Sequence, residues 1–292
     1  MKIDALRSKN GMITLLELDR VPVMAEALGL RISNLEEFQI ASAITKEMVA
    51  QLTPHVQGAV LSPEHSLQHR QDLSKKTVPV ISLEKKTAAV DPLVPPSFVD
   101  NWGIESVANN YGIAKLELYY HPKEANAAIK KQMVAELYDY CNYEGIDFIL
   151  ELLVYHQANE KPSPQGLIET QLTAVQEFRE GCDLMALEYL GDSLAAVTIT
   201  AELDIPWIIT SRDQSYETVK TELRAALESG AQGFLFGDIF WPQLELATHD
   251  GGEVSVEMLT AEVSKMSRDH VIELSRITSE FSDNANAQEG TE

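Results

Sequence analysis

The chain alternates between two hydrophobic rhythms. Short, β-rich apolar runs occur at Met12–Leu18, Gly58–Leu61, Val78–Leu83, Ile113–Tyr119, Phe148–Val154, Asp183–Glu188, Trp207–Thr210 and Gly233–Gly237, and these predict eight strands. Between them, as at Lys46–Leu52, Pro122–Tyr143, Gln165–Glu180 and Tyr216–Ser229, apolar residues recur every three or four positions, the spacing of an amphipathic helix. Regular alternation of strand and helix predicts parallel pairing, because each parallel connection needs a covering crossover.

No linker or change of composition divides these eight units, so the pattern predicts an α/β protein built as a single (β/α)8 TIM barrel over residues 1–281. A doubly wound open sheet would call for a glycine-rich loop after the first strand, and Asp19–Val23 contains no glycine. The longest loop-like stretch, Thr87–Asp100 with Pro92, Pro95 and Pro96, follows the third strand and reads as a lid or rim over the working face. Met258–Phe281 reads as a terminal helix closing the bottom or flank. Residues 282–292, with no apolar anchor, read as a disordered acidic tail.

Composition narrows the partners. Forty-five acidic against 23 basic side chains give 292 residues a net charge of −22, which would repel a nucleic-acid backbone or an anionic membrane. Cys141 and Cys182 are too few for a disulfide framework. The run Met12–Leu18 is broken by Glu17 and is no secretory signal, and no stretch reaches the ~18 apolar residues of a membrane span. The expected location is the cytoplasm.

In a barrel the chemistry sits at the C-terminal ends of the strands. The candidates there are Glu17, Asp19, Glu64, His65, Glu84, Lys85, Lys115, Glu117, Glu151, Glu188, Ser211, Arg212, Asp213 and Asp238. Lys115 stands inside an apolar strand, with Glu117 on the same face by alternation. Two readings of it stay open: an amine that binds a carbonyl or phosphate or forms a Schiff base, and a buried ion pair with Glu117, Glu151 or Glu188. Glu151 interrupts the fifth apolar run, which calls for either an acid/base role or pairing with Lys115. His65, His121 and His156 offer imidazoles near one rim, with His69 four residues after His65, but no HxH or HExxH spacing supports a metal, and neither metal nor cofactor is expected.

Several stretches together resemble a known family: Leu61-Ser-Pro-Glu64, Leu83-Glu-Lys-Lys-Thr87, Asn101-Trp-Gly-Ile-Glu105, Ala114-Lys-Leu-Glu-Leu-Tyr-Tyr-His-Pro122, Phe148-Ile-Leu-Glu-Leu-Leu-Val-Tyr155, Asp183-Leu-Met-Ala-Leu-Glu188, Ile205-Pro-Trp-Ile-Ile-Thr-Ser211 and the segment 226–241. The set is similar to the tagatose-1,6-bisphosphate aldolase-like class I aldolases, which include sulfofructosephosphate aldolases. The resemblance implies a (β/α)8 barrel that makes or breaks a carbon–carbon bond in a ketose phosphate through a lysine Schiff base. It implies Glu151 as acid/base, Lys115 as a second active-site lysine and Glu188 as an acid following the nucleophile.

The sequence departs from that pattern where the reaction needs it most. Ala186 occupies the position of the imine-forming lysine, and no lysine stands between Gln165 and Lys220. Ser211-Arg-Asp213 and Gly237-Asp238 replace the family's phosphate-binding Ser-(Ala/Ser)-Gly and Gly-Arg. Aspartate at both places repels a dianion. The expectation is a divergent barrel without the parent aldol chemistry, in a binding or regulatory role. The alternative is a lyase on a less phosphorylated carbonyl or sugar, with Lys115 as relocated nucleophile and Glu151 as acid/base. Asp19, Glu64, Glu84, Lys85, Ser211 and Arg212 are the expected ligand-binding residues. The expected partner is a small carbonyl or sugar ligand. A homo-oligomer is the other expectation, although no helix face stands out as apolar enough to form one.

Overall fold

The computed structural model describes residues 2–87, 89–158, 160–240 and, for the backbone, 256–289; the side chains of 256, 259, 262, 264 and 282–289 lie outside that description. Eight parallel strands close on themselves: β1 (Ile13–Glu17), β2 (Gly58–Leu61), β3 (Val78–Ser82), β4 (Ile113–Tyr120), β5 (Phe148–Val154), β6 (Leu184–Glu188), β7 (Trp207–Thr210) and β8 (Gly233–Phe236), with β8 pairing back to β1. This is the (β/α)8 barrel that the alternation predicts. Helices α1 (Val21–Ala27), α2 (Leu35–Leu52), α3 (Ile104–Asn109), α4 (Ala127–Glu144), α5 (Pro164–Phe178), α6 (Ser193–Glu202) and α7 (Tyr216–Glu228) surround it.

Two apolar layers hold the fold. Alternate strand residues, among them Ile13, Leu15, Val60, Val80, Ile113, Ile149, Ala186, Ile208 and Leu235, fill the barrel interior. Ile3 and Leu6 join this layer from a single helical turn, Ile3–Leu6, which plugs the N-terminal end. Asp147 fixes the plug by accepting hydrogen bonds from the Ile3 N–H at 2.6 Å and the Lys2 ammonium at 2.8 Å. The opposite faces of the strands, with Leu16, Leu61, Leu116, Leu150, Leu187 and Ile209, pack against the helices.

Strand boundaries fall within a residue or so of those the apolar runs predict, whereas two helices start elsewhere. α2 begins at Leu35 instead of Lys46, because the Asn34 side chain caps it, accepting from the Glu36 and Glu37 N–H groups, and its first turns are too exposed to show an apolar face. α4 begins at Ala127, since residues 122–126 form turns. The C-terminal region is helical as expected, but in two pieces, α8 (Val256–Glu262) and α9 (Arg268–Glu289), joined by a π-helical stretch, Val263–Ser267. It covers the flank between α7 and α2. Tyr216 stacks on His270, Lys220 pairs with Glu273 at 2.6 Å, and Ser275 donates to the His55 carbonyl. The tail expected to be disordered, 282–292, carries α9 backbone through Glu289 and otherwise lies outside the described residues. No helix among the described residues is long and apolar enough to cross a membrane.

Glycine lets the last strand close against the first most tightly at Gly233. Gly233 has φ +146°, and a Cβ there would lie 1.6 Å from the Ile13 carbonyl oxygen. Gly191, also at positive φ (+78°), has open space around it. Gly233→Ala should therefore destabilise the protein by about 3 kcal/mol or more, against about 1 kcal/mol for Gly191→Ala. Urea unfolding of the two variants side by side measures the difference.

Candidate functional site

The inward-facing residue at the C-terminal end of several strands is charged. On β1 the inward series Ile13, Leu15 ends in Glu17, and on β4 the series begun by Ile113 continues through Lys115 and Glu117. β5 contributes Glu151, in register with Glu117 on one side and with Ala186 on the other. The loops after β1, β3, β7 and β8 add Asp19 and Arg20, Glu84 and Lys86, Arg212, and Asp238.

These side chains form one network across the barrel mouth. Lys115, fully buried, pairs with Glu17 at 2.9 Å and contacts Glu151 directly, with Asp19 at 4.0 Å. Arg212 reaches inward from β7 and bonds Glu17 at 3.1 and 3.2 Å, Glu117 at 3.3 Å and Glu151. Thr210 donates to Glu151 at 2.7 Å. Lys86 is shared by Glu84 at 2.6 Å, Glu117 at 2.8 Å and Asp19 at 3.0 Å. Arg20 pairs with Asp238, joining the loops after the first and last strands.

Electrostatics follow from this packing. Burial works against every charge in the network, and opposing charges decide the outcome. For Lys115 burial is outweighed by Glu151 and Glu17, so its ammonium is held above the ordinary lysine range. Arg212 is held up likewise by Glu151, Glu17 and Glu117. Glu117 lies below the carboxylate range because Lys86 and Arg212 overcome its burial, and Glu17 is lowered by Arg212 and Lys115. Glu84 goes the other way: burial raises it and Lys86 compensates only in part. Glu188, at the end of β6, is pushed up to about 7 by burial, against the pull of Arg212 and with the charge of Glu151 adding to the rise.

The expected site residues divide accordingly. Lys115, Glu151, Asp19, Glu84 and Arg212 meet in the network. Glu188 stands beside it, its carbonyl accepting from the Gln171 side-chain amide at 2.9 Å, and Ser211 is buried at the end of β7 with its carbonyl accepting from Arg212 at 2.9 Å. Two candidates do not join. Glu64 is exposed in the turn after β2, and Lys85 turns outward to Asp100 at 2.7 Å, because its neighbour Lys86 takes the inward position. The histidines do not converge: His69 bonds Ser42, and His121 sits between Glu160 and Gln157. Among the described residues the one converging set of metal-ligand type is Glu17, Glu117 and Glu151, within 4.8 Å of one another, and Lys115 and Arg212 hold it. Arg20 and Thr210 escaped the sequence reading. Thr210 lay two residues before Arg212 on an alternating strand, the one available signal.

A cavity of about 310 Å³ opens above the network, roofed by the rim segment after β3. Its lining includes three cations, Arg20, Lys85 and Lys86, three acids, Glu84, Asp91 and Glu117, and the apolar Val90, Val94, Pro95 and Pro96. The stretch Thr87–Asp100, read from sequence as a lid or rim, thus lies over the mouth.

Comparison with known proteins places the fold. No family model and no curated protein sequence matches the chain. Among solved structures, an archaeal fructose-1,6-bisphosphate aldolase with its catalytic lysine covalently bound to the carbinolamine intermediate superposes with a TM-score of 0.63 at 13% identity, covering 94% of this chain and 96% of that one. The fructose-bisphosphate aldolase of Plasmodium falciparum gives 0.63 at 12%, covering 96% and 92%. That of Slackia heliotrinireducens gives 0.59 at 13%, covering 90% and 88%. At these identities the likeness is one of fold: the chain superposes on the barrels of these aldolases.

Two outcomes test this site. Lys115→Met leaves Glu17 and Glu151 without a buried counter-ion and should cost about 3–5 kcal/mol in chemical denaturation. The pH dependence follows from Glu188: its folded pKa lies above the unfolded value near ~4.3, so the native state holds the extra proton and stability falls as pH rises from about 4.5 to about 7. Asp238, pushed up to about 7 by burial, contributes with the same sign, so Glu188→Gln should reduce the slope of urea-unfolding free energy over that interval without removing it.

Proposed function

We propose that this chain is a divergent class I aldolase-like barrel that binds a small polar ligand at its mouth and does not form a Schiff base with it. The observation that carries this reading is the state of the mouth amines. An imine nucleophile must be deprotonated at working pH, which enzymes arrange by desolvation or by nearby positive charge. Lys115 is desolvated, but two carboxylates touch it and hold it protonated, and Lys86 is held by three. Ala186, where the family resemblance puts the imine lysine, is a buried methyl in the inner apolar layer.

The phosphate side supports the same reading. Of residues 211–215 and 237–240, after β7 and β8, the single basic side chain is Arg212, and it is committed to Glu17, Glu117 and Glu151. Asp238 faces Arg20. A phosphate dianion would have to break these pairs to find a cation.

One contact favours a second reading, a lyase on another carbonyl: Lys115 touches Glu151, an amine beside an acid/base group. Borohydride reduction with dihydroxyacetone phosphate, dihydroxyacetone and fructose and tagatose 1,6-bisphosphates, read by intact mass, separates the two. The expected result is no adduct and no cleavage alongside a control aldolase that traps normally. A reduced adduct mapped to Lys115 would establish the lyase instead.

A further inference from the structure

Helix α6 turns an apolar surface to water. Its inner side, Ala195, Ala196 and Ile199, is buried, as packing on the barrel requires. Its outer side is apolar as well: Leu194 is 77% exposed and Val197 50%, with Ala201 exposed and Thr198 half-buried beside them. A helix that is apolar all round belongs in an interior, and here its outer side lies in solvent. No apolar face stands out in the sequence because the apolar residues of 193–202 fall on every side of the helix and leave no period. Beyond Leu194 the apolar surface continues to Leu190 and Leu167, which line a groove of about 340 Å³ with Pro162 and Pro164.

Charge decides what covers this face. The chain carries a net charge of −22, so two copies repel each other wherever acids meet. Every other helix around the barrel exposes an acid: Glu26, Glu36, Glu105, Glu136, Glu169 and Glu217, on α1 to α5 and α7 in turn. Helix α6 carries none before its last residue, Glu202, which Arg179 pairs at 3.4 Å. A basic partner would be drawn to the acidic faces, whereas a second copy of this chain is least repelled here.

The stripe is also complementary to itself. Leu194, Val197, Thr198 and Ala201 stand at i, i+3, i+4 and i+7, along one side of the helix. When two such helices lie antiparallel about a two-fold axis passing by Val197 and Thr198, the large Leu194 of each copy meets the small Ala201 of the other, and Val197 meets Thr198. The same pairing sets each Glu202 near the N-terminus of the other α6, where a carboxylate is favoured. We infer that the chain forms a two-fold dimer through the outer face of α6. The contact lies on the flank of the barrel and is independent of the ligand at its mouth.

Sedimentation equilibrium of the full chain between about 1 and about 200 µM tests this. The expected result is a monomer–dimer equilibrium within that range whose dissociation constant falls as salt rises from about 0.02 to about 0.5 M, because screening relieves the repulsion between two acidic bodies and leaves the apolar contact. Leu194→Glu should weaken the dimer at least about tenfold, and Val197→Glu, on the same exposed stripe, takes its place if the first variant does not fold. Leu194→Ala, which leaves a gap, and Ala201→Leu, which crowds the contact, should each weaken it. The two together should restore it, since a large residue again meets a small one. A chain that stays single at about 200 µM in about 0.5 M salt, a dimer that both glutamate variants leave intact, or a double variant no tighter than the single ones overturns the inference.

Discussion

The mouth of this barrel depends on compensation of charge away from water. An isolated ion buried in a protein costs several kcal/mol even after relaxation, so charged residues at the ends of otherwise apolar strands persist only as a set. Arg212 ties β7 to β1, β4 and β5, Lys86 ties the third loop to the first and to β4, and the Arg20–Asp238 pair closes the seam between the first and last strands. The pairs orient the loops as well as neutralise them. The same compensation removes free cations from the mouth, and so shapes what the barrel can bind.

The fold was almost fully legible because a closed parallel barrel makes its strands apolar on both faces, and such runs stand out against amphipathic helices. The helices were less legible where packing did not write a period: the first turns of α2 are solvent-facing, and residues 122–126 continue the polar pattern of α4 without its backbone. Side-chain alternation carried much of the site. It put Lys115 and Glu117 on one face, and the charged end of an inward series marks Glu17 in the same way. Alternation stops at the strand end. In the loop after β3 nothing in the sequence distinguishes Lys85 from Lys86, and only the antiparallel bridge between Glu84 and Phe98 turns one outward and the other in. Arg20 was invisible for the same reason, since its role is set by Asp238, 218 residues away.

Imine chemistry and charge compensation compete for the same atoms in this architecture. Acid/base catalysis at a Schiff base needs a carboxylate near the amine, but each added carboxylate stabilises the ammonium and withdraws the lone pair that attacks the carbonyl. Here Glu151 and Glu17 both contact Lys115, and Arg212 occupies the remaining oxygens of both. Ala186 adjoins this set: its strand neighbours in register are Glu151 and Ile208, and its methyl lies with Ile149 and Leu184 in the interior layer. A lysine projecting from that position would enter a mouth whose acids are already engaged. On the other side, beneath the rim segment, one ammonium, Lys86, serves three carboxylates. The charges that close the mouth are thus the same ones that would have to be freed before an amine there could attack a carbonyl.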